Sequence, residues 1–238
     1  MTTQHISIKD IFTDSWAKYK ENAWYLIIVL ILAGVVTMIC NRVPLLGAIV
    51  GIIVSIALTT VALVITNNQT PTYGDLVKNF KDYKITLNYI LASILVGLIM
   101  VVLWAPIAVL LVLYFLSSLR GETFIPHAVT DLTIGLGSVF ILLALFGVYV
   151  IVRLQFYKFI VIDIKDIGPI DAIKKSMEIT RGRFWKIFGF LILIVLFNIV
   201  GIIALGIGLL ITVPVSLLAM TYLYRKLHHT YHTQTELS

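Results

Sequence analysis

Charged residues are scarce in this chain of 238 residues: 13% are Asp, Glu, Lys or Arg, about half the share found in soluble domains. Cysteine is scarcer, since Cys40 is the only one, which excludes an internal disulfide and a cysteine-based metal cluster. Hydrophobic residues make up 60% of the chain, and its mean hydropathy is +1.01. This composition excludes a water-soluble globule and predicts a protein embedded in a membrane.

The net charge is +6, from 18 Lys and Arg against 12 Asp and Glu. In so apolar a chain, we interpret this excess as a signal of orientation in the bilayer. Basic runs interleaved with aromatic residues are absent, so we expect no nucleic-acid partner. About twenty mostly polar residues precede the first apolar run, and no cleavage site follows it. We therefore expect that run to remain in the mature protein.

Six apolar runs are long enough to cross the hydrocarbon layer of roughly 30 Å. We predict three transmembrane hairpins, at residues 24–66, 85–152 and 184–224. The third run is too long for one straight crossing, and Pro106 is placed to kink it. The outer loop of the second hairpin, residues 107–132, is left open between a re-entrant and an interfacial conformation.

The basic residues predict the orientation. With both termini in the cytoplasm, sixteen of the eighteen Lys and Arg residues face inward, and only Arg42 and Arg120 face out. A seventh crossing after Trp104 would move the most basic loop outside, against the positive-inside rule. We therefore predict an all-α integral membrane protein with six transmembrane helices, both termini inside and a cytoplasmic tail at residues 225–238.

An amphipathic helix is predicted before each hairpin, at residues 7–22, 73–84 and 169–182. In the first, Ser7 and Asp10 resemble a capping box. In the third, Pro169 lies at the start and Gly182 at the end. We expect these helices to lie on the inner surface of the membrane.

The first and third of these units resemble each other at an offset of 161 residues. Lys20 then matches Arg181, and Trp24 matches Trp185. Each tryptophan stands where a helix enters the bilayer, so we predict that Trp24 and Trp185 are interfacial anchors.

The last third of the chain carries a further pattern of residues. It comprises Asp163, Gly168, Pro169, Ala172, Ser176, Thr180, Gly182, Phe184, Trp185, Asn198, Gly201, Gly206, Gly208, Pro214 and Tyr224. This segment resembles the bacterial membrane proteins of the YciC type and is similar to the membrane domain ahead of some glycerophosphodiester phosphodiesterases. The resemblance implies a six-helix protein of the bacterial cytoplasmic membrane with a poorly defined role. Because the chain ends at Ser238, we expect no catalytic domain.

Ala172, Ser176 and Thr180 are spaced by four residues and therefore form a small-residue stripe on one side of a helix. We interpret the stripe as a helix-packing surface. The alternative is a lipid head-group contact that involves the neighbouring cations Lys174, Lys175 and Arg181.

Four further residues are candidates for helix packing. Gly47 and Gly51 form a GxxxG pair, which serves either the bundle or a dimer interface. Asn198 needs a hydrogen-bond partner in hydrocarbon. Gly182 is the fourth candidate for helix packing. The oligomeric state stays open.

Ionisable residues are missing from the middle of every predicted span, so proton relays and intramembrane hydrolysis lack their chemical groups. His228 and His232 have a metal-capable spacing, but a solvated tail is the preferred interpretation. We expect no enzyme activity, cofactor or metal site.

We therefore expect a non-enzymatic membrane protein whose basic inner face contacts anionic lipid, with a role in envelope or lipid homeostasis or as a partner of another membrane protein. The alternative is a small carrier or channel for an uncharged or amphiphilic substrate, with Pro106 and Pro214 as flexible breaks.

Overall fold

A computed structural model of the protein describes residues 7–79, 82–119, 129–204 and 206–236. The regular secondary structure within these ranges is helical, without strands. The helices are α1 (Ile8–Glu21), α2 (Ala23–Cys40), α3 (Pro44–Thr66), α4 (Tyr73–Lys78), α5 (Tyr83–Leu119), α6 (Val129–Leu154), α7 (Tyr157–Asp163), α8 (Pro169–Ile179), α9 (Phe184–Ile203) and α10 (Leu209–Glu236).

Five stretches of the described chain are long and apolar enough to cross a membrane. They are Ala23–Cys40, Leu46–Thr66, Tyr83–Val109, Ile141–Asp163 and Phe184–Ile203. Their outer faces carry large exposed apolar side chains, such as Leu32, Val102 and Ile203. In water such faces would be costly, so their natural surroundings are lipid. The sixth predicted crossing, in α10, stays a prediction, because the apolar part of that helix soon meets Arg225 and Lys226.

The second hairpin differs from the prediction. Helix α5 continues through Pro106 to Leu119, so residues 107–119 extend the helix and do not belong to an outer loop. Proline removes one backbone hydrogen bond, but the apolar residues that follow favour a helix, which satisfies the remaining backbone groups internally. Residues 120–128 lie outside the described part, and α6 begins at Val129.

Three more boundaries differ. The second amphipathic helix, predicted at residues 73–84, ends at Lys78, and Tyr83 and Lys84 begin α5. The segment after Leu154, between the predicted second hairpin and the third amphipathic helix, forms the short helix α7. The predicted cytoplasmic tail continues α10 as far as Glu236, and Leu227 in this extension is fully buried. Packing of Leu227 against the bundle favours a helix here. The His and Thr residues of the tail did not indicate this packing.

The short helices gather at one end of the bundle. Helix α8 packs against α5, α6 and α7, while α1 packs against α10. Ile11 of α1 and Ile179 of α8 are fully buried in the same core cluster as Phe156 and Tyr224. The apolar faces of α1 and α8 are therefore covered at least in part by protein.

Candidate membrane-interface site

An exposed aromatic residue stands at the start of three long apolar helices. Trp24 in α2 and Trp185 in α9 are each 79% exposed, and Tyr83 in α5 is 70% exposed. Each comes after one of the short helices α1, α8 and α4, respectively. Indole and phenol rings favour the boundary between head groups and hydrocarbon. This placement matches the repeated unit of short helix and hairpin, and Tyr83 adds the aromatic that the sequence comparison did not find.

Exposed cations accompany these aromatic residues. Lys20 precedes Trp24 by one helical turn, and Arg181 and Lys186 flank Trp185. The Nζ atom of Lys84 lies 3.7 Å from an oxygen of Asp166, with both side chains mostly exposed. Such an exposed pair is weak, because water screens it, so Lys84 can exchange Asp166 for another anion at little cost. This end of the bundle therefore presents positive charge beside aromatic rings.

The small-residue stripe of α8 faces the protein interior. Ala172, Ser176 and Thr180 are fully buried. The hydroxyl of Ser176 donates to the backbone carbonyl of Arg153 at 2.8 Å, and that of Thr180 donates to the carbonyl of Ser176 at 2.8 Å. The Ser176 bond thus ties α8 to the end of α6, whereas the Thr180 bond stays within its own helix turn.

The opposite side of α8 is exposed and mixed in character. Ile170, Lys174 and Met177 are exposed at spacings of four and three residues. Neighbours at these spacings share one face of a helix. This face offers apolar contact and positive charge together.

The three candidate lipid-contact residues have different surroundings. Lys174 is exposed, with its Nζ atom 4.0 Å from an oxygen of Asp171. Arg181 is also exposed. Lys175, by contrast, places its Nζ atom 4.8 Å from the centre of the Tyr231 ring on α10. Lys174 and Arg181 are therefore available to a lipid surface, whereas Lys175 contacts the last helix.

A charged cluster that the sequence analysis missed ties α7 to α10. Asp163 Oδ1 lies 3.1 Å from Arg225 Nη2, and Asp163 Oδ2 accepts a hydrogen bond from the Tyr224 hydroxyl at 3.0 Å. The side chains of Asp163 and Arg225 are only 19% and 31% exposed. Asp163 and Arg225 each lie at the polar end of an apolar segment. This position is the only feature of the sequence that could have pointed to the pair. Their pairing depends on the packing of helices about sixty residues apart.

Helices α9 and α10 approach closely at Gly201 of α9 and at Gly208, in the turn just before α10. A Cβ atom on Gly201 would collide with the hydroxyl of Thr212, and one on Gly208 would lie 2.7 Å from the carbonyl oxygen of Gly201. Near this crossing, the amide nitrogen of Asn198 donates to the Ser216 hydroxyl at 2.8 Å. Asn198 therefore makes a hydrogen bond between helices.

The other candidate glycines have different surroundings. Gly47 lies against Asn41 of the α2–α3 turn, whose Cα atom would be 3.0 Å from an added Cβ. An added Cβ on Gly51 or Gly182 would meet nothing within 4 Å. Gly182 instead has a φ of 73°, a backbone conformation that favours glycine and turns the chain from α8 into α9.

Helix α4 is held at its start by Asp75. A carboxylate oxygen of Asp75 accepts hydrogen bonds from the Thr72 backbone N–H at 2.8 Å and from its hydroxyl at 2.7 Å. These hydrogen bonds favour the ionised form and hold the pKa of the Asp75 carboxyl below its usual value. The Tyr25 hydroxyl donates to the Thr72 carbonyl at 2.9 Å, so the cap also binds α4 to α2.

Of the two histidines with a metal-capable spacing, the structure describes the side chain of His228 only. The His228 ring lies 5.5 Å from the Tyr224 ring, and the side chain of His232 is outside the described part. Among the described residues, no group of three His, Cys, Asp or Glu side chains is arranged to hold a metal ion.

The apolar helices and their lipid-exposed faces define the class of this molecule: it is a helical membrane protein. More particularly, the chain belongs to the DUF975 family, described as proteins of unknown function, whose model matches residues 1–230. No curated protein and no solved structure gives a significant match. The family match is consistent with the resemblance to YciC-type proteins. That finer assignment and the similarity to phosphodiesterase membrane domains stay predictions.

Proposed function

We propose that this protein is a non-enzymatic, six-helix protein of the bacterial cytoplasmic membrane, with both termini inside, whose basic cytoplasmic end binds anionic lipid. The observation that carries this proposal is the repeated pairing of an exposed aromatic with exposed cations at the start of α2, α5 and α9. An exposed aromatic ring favours the membrane–water boundary, and a cation beside it lies at the level of the lipid head groups.

The exposed face of α8 supports the same interpretation. Its apolar residues Ile170 and Met177 can enter the head-group region while Lys174 stays at the level of the phosphates. Arg181 follows in the turn before Trp185. Lys175 is left out of this lipid surface because its ammonium group lies over Tyr231.

The biological role that we propose is in envelope or lipid homeostasis, or as a lipid-dependent partner of another membrane protein. Both roles need a surface that distinguishes anionic from zwitterionic lipid. A cation near the membrane surface contributes about 1 kcal/mol to such a preference, and salt weakens it.

The test uses the full chain in a mild detergent, with short-chain phosphatidylglycerol and phosphatidylcholine as probes. A ligand that binds only the folded state raises the unfolding temperature, and at one concentration the tighter ligand raises it more. We expect phosphatidylglycerol to raise it more than phosphatidylcholine at low salt, and the difference to shrink at high salt. Equal effects of the two lipids at low salt would contradict the proposal.

Two sets of variants locate the effect. The double variant Lys174→Gln with Arg181→Gln should reduce the preference for phosphatidylglycerol. Arg42→Gln, compared with the single variant Arg181→Gln, is the control for the loss of one charge, because Arg42 is an exposed cation in the turn between α2 and α3, away from the proposed surface. It should leave the preference unchanged. An equal loss in both would show that only net charge matters.

A further inference from the structure

An apolar groove of about 250 Å³ runs between α6 and α9. Val148 and Val152 of α6 line one wall, and Phe188, Leu191 and Val195 of α9 line the other. Its lining extends along α9 from Phe188 to Leu196, about 12 Å at 1.5 Å per residue. One leaflet of the hydrocarbon layer is about 15 Å thick. The groove thus has the length and polarity to hold part of one lipid acyl chain.

A cation stands at one end of this groove. Phe188 stacks on Phe184 at 5.7 Å, Phe184 contacts Tyr149 at 5.4 Å, and the Arg153 guanidinium lies 5.7 Å from the centre of the Tyr149 ring. This series of contacts connects the groove to Arg153 at the end of α6. The backbone of Arg153 is in turn held by the buried hydroxyl of Ser176.

The charge of Arg153 is not paired within the described chain, where no carboxylate oxygen lies within 4.0 Å of its side-chain nitrogens. Contact with an aromatic face orients a cation but leaves its charge uncompensated. An arginine suits a phosphate, because the guanidinium donates two parallel hydrogen bonds to its oxygens.

We propose that the groove between α6 and α9 binds one anionic phospholipid, with an acyl chain along the groove and the phosphate at Arg153. This inference rests on the proposed function, because it names one specific lipid site within the basic end of the protein. The site is distinct from the exposed surface of Lys174 and Arg181, which meets the surrounding lipids together.

The structure supplies a matched control groove. A larger apolar groove of about 480 Å³ lies between α5 and α6, with Ile99 and Pro106 in its lining. Both grooves are lined by uncharged residues, and Phe146 of the larger one lies 6.4 Å from the Tyr149 ring. Blocking each groove in turn therefore tests which of the two holds the acyl chain of a lipid bound at Arg153.

The test is native mass spectrometry of the delipidated full chain, titrated with phosphatidylglycerol or phosphatidylcholine. The first bound lipid should favour phosphatidylglycerol by about fivefold or more, the effect of one cation near a membrane surface. Arg153→Gln should remove this preference, and Arg153→Lys should keep part of it because the charge remains. Ile192→Trp, which fills the groove, should weaken the first binding step for both lipids. Ile99→Trp, which fills the control groove, should leave the preference intact.

The outcomes separate this proposal from the preceding one. If Arg153→Gln and Ile192→Trp bind the first phosphatidylglycerol as the wild type does, the groove site is wrong. If the preference then disappears in the Lys174→Gln, Arg181→Gln variant, the proposed function stands and only the groove site is rejected. If the wild type shows no preference for phosphatidylglycerol, both proposals fail.

Discussion

The cluster of Asp163, Tyr224 and Arg225 permits a quantitative prediction of stability. Replacing Asp163 with Asn keeps the size of the side chain but removes its charge. Arg225 then loses its carboxylate partner at 3.1 Å, and the fully buried Tyr224 hydroxyl loses an ionised acceptor at 3.0 Å. We expect the variant to unfold more easily than the wild type.

The magnitude follows from burial. Removing one partner of a fully buried ion pair costs about 3–5 kcal/mol, whereas exposed pairs contribute about 0–1 kcal/mol. Asp163 and Arg225 retain 19% and 31% of their side-chain exposure, so an intermediate value of about 2–3 kcal/mol is appropriate for Asp163→Asn. Tyr224→Phe removes one hydrogen bond to a charged group and should cost about 1.5 kcal/mol.

The assay is denaturant unfolding of the full chain in a mild detergent, followed by tryptophan fluorescence. Lys226→Gln is the control, since Lys226 neighbours Arg225 in sequence but makes no ion pair within the described residues. It should change the free energy of unfolding by less than about 0.5 kcal/mol. Combining Asp163→Asn with Arg225→Gln should cost less than the sum of the two single changes. A cost of Asp163→Asn no larger than that of Lys226→Gln would refute the reasoning.

Three other predictions concern packing, pH and topology. Gly201→Ala should destabilise the protein by about 1–3 kcal/mol, because the added methyl group meets the facing helix; Gly189→Ala, on the same helix but in open space, should not, and similar unfolding midpoints for both variants would contradict the close crossing. Because the pKa of Asp75 is lowered in the folded state, its contribution should be present above the unfolded pKa and lost as the pH falls through the folded value. Hydrogen exchange of residues 72–78, corrected for intrinsic rates, should therefore show protection that weakens below about pH 4 in the wild type but not in Asp75→Asn, and identical profiles would disprove this linkage. In cells, an impermeant maleimide should label Cys40 from outside, whereas Thr13→Cys in a Cys40→Ser background should react only after permeabilisation. The reverse pattern would show that the protein has the opposite orientation in the membrane.

The sequence predicted the long helices well, because hydropathy is a property of each run by itself. The runs that begin at Trp24 and Phe184 correspond to α2 and α9, close to the predicted limits. Helix α7 was not predicted, because Lys158 interrupts its short apolar segment. The assignment of residues 107–119 to the outer loop was also wrong, because a proline in a membrane helix does not by itself end the helix.

The candidate site was less predictable than the helices. The stripe of Ala172, Ser176 and Thr180 is visible in the sequence because its spacing is local. The contact of Lys175 with Tyr231 and the pairing of Asp163 with Arg225 join distant parts of the chain. Such pairings depend on how the helices pack, which no local pattern specifies.

The packing of α1 against α10 has a consequence for biosynthesis. Ile11 and Ser15 of α1 are fully buried, yet the helix that covers them begins only at Leu209. During translation, α1 therefore emerges long before its partner and must wait with its apolar face uncovered. A ribosome that stalls before α10 would leave this face exposed at the membrane surface. The order of synthesis thus places the packing of α1 against α10 after α2 to α9 have been made.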